Sequence, residues 1–166
     1  MYGHIADLLA DKGRQVYTTR KSVTVHEAVR EMNRKRVGAL IVIDEQRPVG
    51  IFTERDVLRR IVDEDRDPAL TKVVEVMTPN PATVVSSMSV EDAMAMMTER
   101  RFRHLPVIED GVLVGIVSIG DLMRWVTLHQ AEHIDQMAQY ITGAEPGAAG
   151  TGINGQAAGI RGESVN

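Results

Sequence analysis

The sequence contains no cysteine. This absence excludes disulfide bonds, thiolate nucleophiles and cysteine-based zinc sites. No run of apolar residues approaches the ~18 that a membrane-spanning helix needs. The N-terminal segment MYGHIADLLADKGRQ carries acidic residues and lacks the apolar stretch of a signal peptide. We therefore expect a cytoplasmic protein that does not associate with a membrane.

An excess of positive charge is also missing, because 23 Asp and Glu residues outnumber 19 Lys and Arg residues and leave a formal net charge of −4. Such a balance creates no field that attracts nucleic acid or an anionic membrane surface. Hydrophobic residues make up 43% and charged residues 25% of the 166 residues, as in ordinary soluble globular proteins. The composition therefore predicts a globular protein without a nucleic-acid partner.

Signatures of catalysis are absent from the sequence. It has no P-loop, no kinase signature and no nucleophile elbow. His129 and His133 have an i, i+4 spacing, but they lack the glutamate of the His-Glu-x-x-His zinc pattern. We therefore expect no enzyme activity, no catalytic residues or catalytic cofactor, and no metal site.

The chain carries an internal repeat with an offset of 65 residues. Residues 22–61 align without a gap on residues 87–126, and 13 of these 40 pairs are identical by direct count. Chance would give about two or three identities for average composition. Most other pairs keep their apolar or polar character. A repeat of this kind indicates one structural unit built twice.

Each copy predicts the order strand, helix, strand, strand, helix. Thr24-x-x-Glu27 and Ser89-x-x-Asp92 have the spacing of capping boxes and predict the first helix of each copy. Short apolar runs rich in β-branched residues predict the paired strands, and their tight connections imply hairpins. The predicted strands are Ala39–Ile43, Val49–Thr53, Leu105–Ile108 and Val112–Ser118, followed by helices at about Glu54–Asp63 and from Ile119 to about Ile141.

One copy alone would bury too little apolar surface to be stable. We therefore predict an α/β (α+β) fold in which two β-α-β-β-α repeats pack around a pseudo-two-fold axis. The glycine- and alanine-rich end of the chain has few bulky residues, so its burial cannot offset the conformational entropy lost on ordering. This composition predicts a disordered tail. The predicted boundaries are an N-terminal helical segment at 1–14, repeat 1 at 15–67, a linker at 68–80 with a short helix at Lys72–Val76, repeat 2 with a long C-terminal helix at 81–142, and the tail at 143–166.

Each repeat contains Gly-h-h-Thr/Ser-x-x-Asp, with h apolar, where its second strand meets its second helix. The copies are Gly50–Asp56 and Gly115–Asp121. The Thr/Ser-x-x-Asp part is the pattern of a helix cap. The same geometry leaves a hydroxyl and a carboxylate at a helix N-terminus, where they can hold ribose hydroxyls and a phosphate. The residues alone leave both interpretations open.

The duplication, the element order, the two junctions and the strand His104-Leu105-Pro106-Val107 together resemble a tandem cystathionine-β-synthase (CBS) domain module. The resemblance covers about Gln15 to Val126, and Phe52-Thr53-Glu54-Arg55-Asp56 is similar to small stand-alone bacterial CBS-pair proteins. It implies a regulatory protein that binds AMP, ADP, ATP, NAD or S-adenosylmethionine in clefts between the repeats. It also implies a homodimer that signals to an unknown downstream protein.

The resemblance implies that Thr53 and Asp56 define one cleft, and that Ser118 and Asp121 define the other. Arg103 and His104 precede the central strand of repeat 2. A similar basic pair reaches the nucleotide phosphate in the sensing subunit of the AMP-activated kinase, which implies that this pair serves the Asp56 cleft, with Arg55 as a further candidate. Repeat 1 has Gly38 and Ala39 at the matching positions. We therefore expect the Asp56 cleft to bind phosphate-bearing ligands more tightly than the Asp121 cleft.

Two other function classes stay open at this point. In one, the chain is a protein–protein adaptor or dimerisation module, both junctions are only helix caps and the clefts stay empty. In the other, the chain is an enzyme that uses a bound nucleotide as its substrate. Nucleotide binding and turnover separate the three possibilities.

Overall fold

The structure is a computed structural model that describes the backbone of residues 3–45 and 47–142 and the side chains of residues 3–45 and 47–130. The predicted tail at 143–166 lies outside the described residues. The fold is a mixture of helices and short strands, as predicted. The elements are α1 (Ile5–Lys12), β1 (Thr18–Arg20), α2 (Val25–Lys35), β2 (Ala39–Asp44), β3 (Arg47–Thr53), α3 (Glu54–Val57), a π-helical turn (Leu58–Val62), α4 (Val73–Val76), β4 (Thr78–Pro79), α5 (Val90–Arg100), β5 (His104–Glu109), β6 (Val112–Ser118) and α6 (Ile119–Thr142).

The predicted capping boxes position the first helix of each repeat. The Glu27 N–H donates to Thr24 Oγ1, and the Thr24 N–H donates to Glu27 Oε2, so the reciprocal box is complete at α2. At α5 the Asp92 N–H donates to Ser89 Oγ, and the Ser89 hydroxyl donates to Asp92 Oδ2. Each cap satisfies N–H groups that have no partner inside the helix.

The two predicted hairpins have the same register. In repeat 1, β2 is antiparallel to β3 with Ala39 opposite Thr53, and β1 runs parallel to β2. In repeat 2, β5 is antiparallel to β6 with His104 opposite Ser118, which is the same pair shifted by the repeat offset. The register shifts also match, after Val42 and after Val107. This agreement confirms the repeat in three dimensions.

The first strand is shorter in the second repeat. There it consists of the single parallel bridge from Val84 to Val107, the counterpart of the Thr19–Val42 pair in β1 and β2. The linker also contributes a short strand, because Thr78 and Pro79 form β4 against Ile51 and Gly50. β4 lies at the edge of the sheet, where a proline costs no inner hydrogen bond.

The helical segment that precedes each repeat packs on the other repeat. α1 precedes repeat 1, yet its Ile5 N–H donates to Met88 O of repeat 2 at 2.9 Å. α4 precedes repeat 2, and its Val73 N–H donates to Val23 O of repeat 1 at 2.9 Å. This reciprocal exchange is the arrangement expected of a pseudo-two-fold pair. The sequence patterns did not reveal it.

Two equivalent glycines permit these close approaches. A Cβ atom on Gly50 would lie 2.6 Å from Met77 Sδ, and one on Gly115 would lie 2.8 Å from Leu9 Cδ1. Both distances are shorter than ordinary Cβ contacts, so the Met77 or Leu9 side chain would have to move. The glycine of each junction motif therefore lets the helical segment that precedes the other repeat pack directly on the second strand.

The buried hydrophobic side chains of residues 3–45 and 47–130 form three clusters. One combines α1 with repeat 2, and one combines α4 with repeat 1. The third joins the two sheets, because Ala39, Ile41 and Ile51 of repeat 1 pack with Leu113 and Ile116 of repeat 2. Each fully buried Val, Leu or Ile side chain in these clusters contributes about 1.5–3 kcal/mol to the stability of the fold. The third cluster packs the two repeats against each other, and its Ile51 also lines the cleft beside Asp56.

The second helix of repeat 1 differs from the prediction. A continuous helix was expected from about Glu54 to Asp63, but α3 ends at Val57 and a π-helical turn follows at Leu58–Val62. The Asp63 N–H accordingly donates to Leu58 O at 3.1 Å, an i, i+5 bond. Such turns occur often at functional sites. The equivalent segment of repeat 2 begins a regular helix, α6.

Candidate functional site

Both predicted junctions form complete helix caps. In repeat 1 the Thr53 N–H and hydroxyl each donate to Asp56 Oδ2 at 2.8 Å. In repeat 2 the Ser118 N–H and hydroxyl donate to Asp121 Oδ2 at 2.7 and 2.8 Å. Each hydroxyl in turn accepts from the aspartate N–H. The capping interpretation is therefore realised twice, and one carboxylate oxygen of each aspartate is used for it.

The second oxygen of Asp56 faces a different set of groups. Asp56 Oδ1 lies 3.2 Å from Arg60 Nη1 and accepts a hydrogen bond from Thr78 Oγ1 at 3.4 Å. Arg60 Nη1 also donates to Val76 O at 2.6 Å and Met77 O at 2.7 Å. Asp56 is only 7% exposed. Because a buried charge must be paired, Arg60 is the counter-ion of this carboxylate beside the cleft.

A cleft of about 750 Å³ opens beside Asp56, and both repeats and the linker line it. This volume lies within the ~300–1,000 Å³ range of small-molecule sites. Six of the nine sequence-predicted site residues line it, and these are Gly38, Thr53, Arg55, Asp56, Arg103 and His104. Ala39 is buried in the cluster that joins the two sheets. Ser118 and Asp121 belong to the other junction and do not line this cleft.

Arg103 and His104 reach the cleft from the start of β5. The Arg103 side chain is exposed, and its carbonyl accepts from the Ile119 N–H at 2.9 Å. His104 is half-buried at the contact between repeats, since a Cβ atom on Gly38 would lie 3.5 Å from His104 Cε1. Burial lowers the pKa of His104 below its ordinary value, although the carboxylates of Asp121 and Glu54 oppose this shift. The ring is therefore a neutral donor or acceptor near pH 7.

Arg55 connects the two repeats directly. Its Nη1 atom donates to Arg101 O at 2.7 Å. Arg101 ends α5 in a left-handed conformation, with φ 57°. The sequence predicted Arg55 as a phosphate-binding candidate, and part of its guanidinium is instead engaged with this carbonyl. Arg55 thereby holds the loop that carries Arg103 and His104 against the junction of repeat 1.

Asp121 has a partner that the sequence did not predict. Lys12 Nζ, at the end of α1, donates to Asp121 Oδ2 at 2.6 Å. Burial raises the pKa of Asp121, but the Lys12 ammonium and the Ser118 donors outweigh burial and leave it below its usual value. The side chains of the pair are 26% and 30% exposed. No local pattern links them, because they are 109 residues apart.

The cleft contains further cationic residues that sequence reasoning missed. Arg59 and Arg60 follow Asp56 by one helical turn, and Arg100 and Arg101 precede Arg103. The sequence signal that could have indicated them is the close spacing of these four arginines in two short segments. Thr78 and Asn80, from the linker, also line the cleft. Sequence patterns did not indicate these two residues as cleft residues, because no pattern predicted that the linker packs on repeat 1.

The described residues show neither a metal centre nor a membrane span. Within residues whose side chains the structure describes, no group of three or more His, Asp or Glu side chains converges. His129 Nδ1 lies 2.8 Å from Trp125 O, and its ring stacks on Trp125. Among the described helices, none has both the length and the apolarity that a membrane crossing requires.

Comparison with known proteins gives consistent matches. The family model of the CBS domain matches the chain twice, at residues 6–63 and 73–128. The mitochondrial CBS domain-containing protein CBSX3 of Arabidopsis thaliana is 38% identical over 149 residues, which are 84% of this chain and 72% of that protein. A solved structure with CBS domains from Burkholderia ambifaria aligns with TM-score 0.72 and 43% identity, covering 74% of this chain and 93% of that chain. The structure of CBSX2 in complex with AMP aligns with TM-score 0.64 and 26% identity, covering 76% and 97%.

Proposed function

The chain belongs to the CBS-domain family, and from that premise we propose that it is a non-catalytic regulatory module that binds an adenosine nucleotide between its two repeats. The candidate ligands are AMP, ADP, ATP and NAD. One observation carries this proposal: a single cleft contains the Thr53–Asp56 junction of repeat 1 and the basic pair Arg103 and His104 of repeat 2. The AMP bound to the related CBSX2 supports the choice of an adenosine nucleotide.

Four of the cleft residues have defined roles in this proposal. Asp56 Oδ1 accepts hydrogen bonds from the ribose hydroxyls, in exchange for the long 3.4 Å contact with Thr78. Arg103 donates to the first phosphate, because its guanidinium is exposed and a phosphate accepts its fork of donors well. His104 and Gly38 lie where the repeats meet and contact the nucleoside.

Ligand binding would change the protein by favouring one pose of the repeats. A nucleotide that contacts Asp56 of one repeat and Arg103 of the other binds most tightly when both are correctly placed. Such differential affinity shifts the population toward that pose. The Arg55–Arg101 hydrogen bond crosses the same boundary and would strengthen with it. A downstream protein that contacts both repeats can read this change.

The two clefts are unequal in this proposal. Asp56 borders an open cleft with exposed Arg103, whereas Asp121 already accepts from the Lys12 ammonium. A ligand at the second junction would have to displace that ammonium. The Asp56 cleft therefore binds the nucleotide first and more tightly.

The adaptor alternative rests on a specific observation as well. Both junction aspartates are engaged by the chain itself, Asp56 with Arg60 and Asp121 with Lys12. A module with permanently empty clefts would need this self-neutralisation. Under this alternative the repeats serve to dimerise or to hold a partner protein.

A homodimer is part of the proposal. Leu58 is 63% exposed, and Met123, its equivalent in repeat 2, is 51% exposed. Large apolar side chains exposed at equivalent positions suit a symmetric interface between two copies.

The cytoplasmic location stays a prediction from the sequence.

A nucleotide panel tests the proposal. Thermal unfolding of the full chain is measured with adenosine, AMP, ATP and NAD, because a ligand at 100 times its dissociation constant adds about 2.7 kcal/mol to the unfolding free energy. A rise in melting temperature with at least one nucleotide supports the sensor. No shift with any of them favours the adaptor. Hydrolysis or transfer of the bound nucleotide over hours would instead identify an enzyme.

A further inference from the structure

The Asp56 cleft concentrates positive charge in a chain that is acidic overall. Its lining contains six arginines and two carboxylates, Glu54 and Asp56, whereas the whole chain has a formal net charge of −4. The arginines come from both sides. In repeat 1, Arg55 lies in the junction and Arg59 and Arg60 follow it. In repeat 2, Arg100 ends α5, and Arg101 and Arg103 lie between α5 and β5.

Four of the six arginines are not neutralised by any residue whose side chain the structure describes. Arg60 is engaged with Asp56, and Arg55 donates to Arg101 O. For the other four, no side-chain hydrogen bond or ion pair exists within the part of the chain that the structure describes, and all four are exposed. These unpaired guanidinium groups belong to Arg59, Arg100, Arg101 and Arg103.

The excess charge is specific to this cleft and is not a property of the repeat. The six arginine positions can be compared with the residues that lie 65 positions away, in the other repeat. Three of these equivalent residues are uncharged and three are cations. One of those cations, Lys35, lies 5.1 Å from the ring centroid of Tyr17. The equivalent residues are Gly120, Arg124 and Trp125 on one side, and Lys35, Arg36 and Gly38 on the other.

We propose that the Asp56 cleft selects nucleotides that carry three or more phosphates over nucleoside monophosphates. This inference rests on the proposed nucleotide binding. One phosphate carries a charge of about −1.5 to −2 and is satisfied by Arg103 and one neighbour. A longer phosphate chain brings acceptors to the arginines of both repeats, and guanidinium groups bind such oxygens in bidentate fashion. The 750 Å³ volume leaves room for the longer ligand.

Calorimetry on the full chain tests this selectivity at fixed ionic strength with adenosine, AMP, ATP and inorganic tripolyphosphate. ATP is expected to bind at least about tenfold more tightly than AMP, the effect of one additional charged hydrogen bond. The double variant Arg59→Gln/Arg100→Gln should weaken ATP by about tenfold or more and AMP by less than about threefold. The matched control is Arg124→Gln/Lys35→Gln, at the equivalent positions of the other junction, which should leave ATP binding unchanged.

The outcomes separate this inference from the function beneath it. Equal affinity for AMP and ATP would overturn the selectivity and leave nucleotide binding intact. Tripolyphosphate that binds as tightly as ATP would also overturn it, because the nucleoside would then add nothing. If none of the four ligands binds, the inference fails, and the proposed function fails with it when ADP and NAD also do not bind. All four arginines are exposed, so unchanged melting temperatures of the variants are expected and exclude misfolding as the cause of a loss.

Discussion

Lys12 Nζ lies 2.6 Å from Asp121 Oδ2, so the N-terminal helix closes an ion pair over the carboxylate that the repeat equates with Asp56. Asp56 has no such lysine and faces Arg60 and the open cleft instead. The difference arises because α1 and α4 exchange places across the pseudo-two-fold axis but carry different side chains. Each junction carboxylate therefore has a different counter-ion, Lys12 for Asp121 and Arg60 for Asp56, and the Asp56 junction lines the cleft of about 750 Å³.

The first prediction concerns this ion pair. Lys12→Met should lower the free energy of unfolding by about 1 kcal/mol, because it leaves a half-buried carboxylate without its counter-ion. In a double-mutant cycle with Asp121→Asn, urea unfolding should give a coupling energy of similar size. The more exposed pair Lys21–Asp44 is the control and should give a coupling near zero. Equal couplings for the two pairs would mean that Lys12 does not specifically hold Asp121.

The second prediction compares the two junction aspartates. Asp56→Ala should weaken AMP and adenosine binding by roughly ten- to a hundredfold, since a charged hydrogen bond contributes ~1.5–3 kcal/mol. Asp121→Ala removes the equivalent cap and is the matched control, with a smaller effect on AMP. Calorimetry measures both. If Asp121→Ala abolishes binding while Asp56→Ala is harmless, the assignment of the clefts is reversed.

The third prediction isolates the phosphate contact. Arg103→Ala should reduce the affinity for AMP by about tenfold or more and leave adenosine nearly unaffected, because only AMP offers a phosphate to the guanidinium. Arg36→Ala, at an exposed position that does not line the cleft, is the control. Titrations of both ligands with both variants give the answer. An equal loss for AMP and adenosine would place Arg103 at the nucleoside instead.

Sequence patterns predicted the parts of the fold that depend on neighbours in the chain. Thr53 and Asp56 are three residues apart, so the cap they form is encoded in one short segment. The two hairpins were predicted from segments that are local in the same sense. The π-helical turn at Leu58–Val62 is local too, but no residue type marks it.

The contacts between repeats could not be predicted in this way. Lys12 and Asp121 are 109 residues apart, and Arg55 and Arg101 are 46 residues apart. Which partner each finds depends on how the two units pack, and this packing is set by the shared apolar cluster rather than by a motif. The joint position of Arg103 and Asp56 followed from the family resemblance. That these residues bind a nucleotide stays a prediction.

The fourth prediction concerns pH. Burial lowers the pKa of His104 from 6.5 in the folded state, so the unfolded chain binds a proton more readily below that pH. Stability is then fully present above about pH 6.5 and falls as the pH drops toward the folded pKa. His104→Gln should flatten this part of the profile, measured as urea midpoints at about pH 5.5 and 7.5. The exposed His26→Gln is the control, and an unchanged slope in His104→Gln would show that another group is responsible. Asp121 does not interfere, because its pKa is lowered from 3.8 and acts at more acidic pH.

The last prediction concerns self-association through the second helices of the repeats. Leu58 and Val62 are 63% and 66% exposed after the junction of repeat 1, and Met123 and Leu128 are 51% and 47% exposed on α6. Water contact at such positions is unfavourable by ~25 cal/mol per Å² of apolar surface, and a second copy can remove it. Light scattering at micromolar concentration should therefore report about twice the chain mass of 18.3 kDa. Leu58→Asp/Met123→Asp should reduce this to the monomer, because each interface would bury uncompensated charges. Leu70→Asp is the matched control, since Leu70 is 79% exposed but lies in the linker. A wild-type chain that is monomeric, or a dimer that survives the double substitution, would contradict the proposed interface.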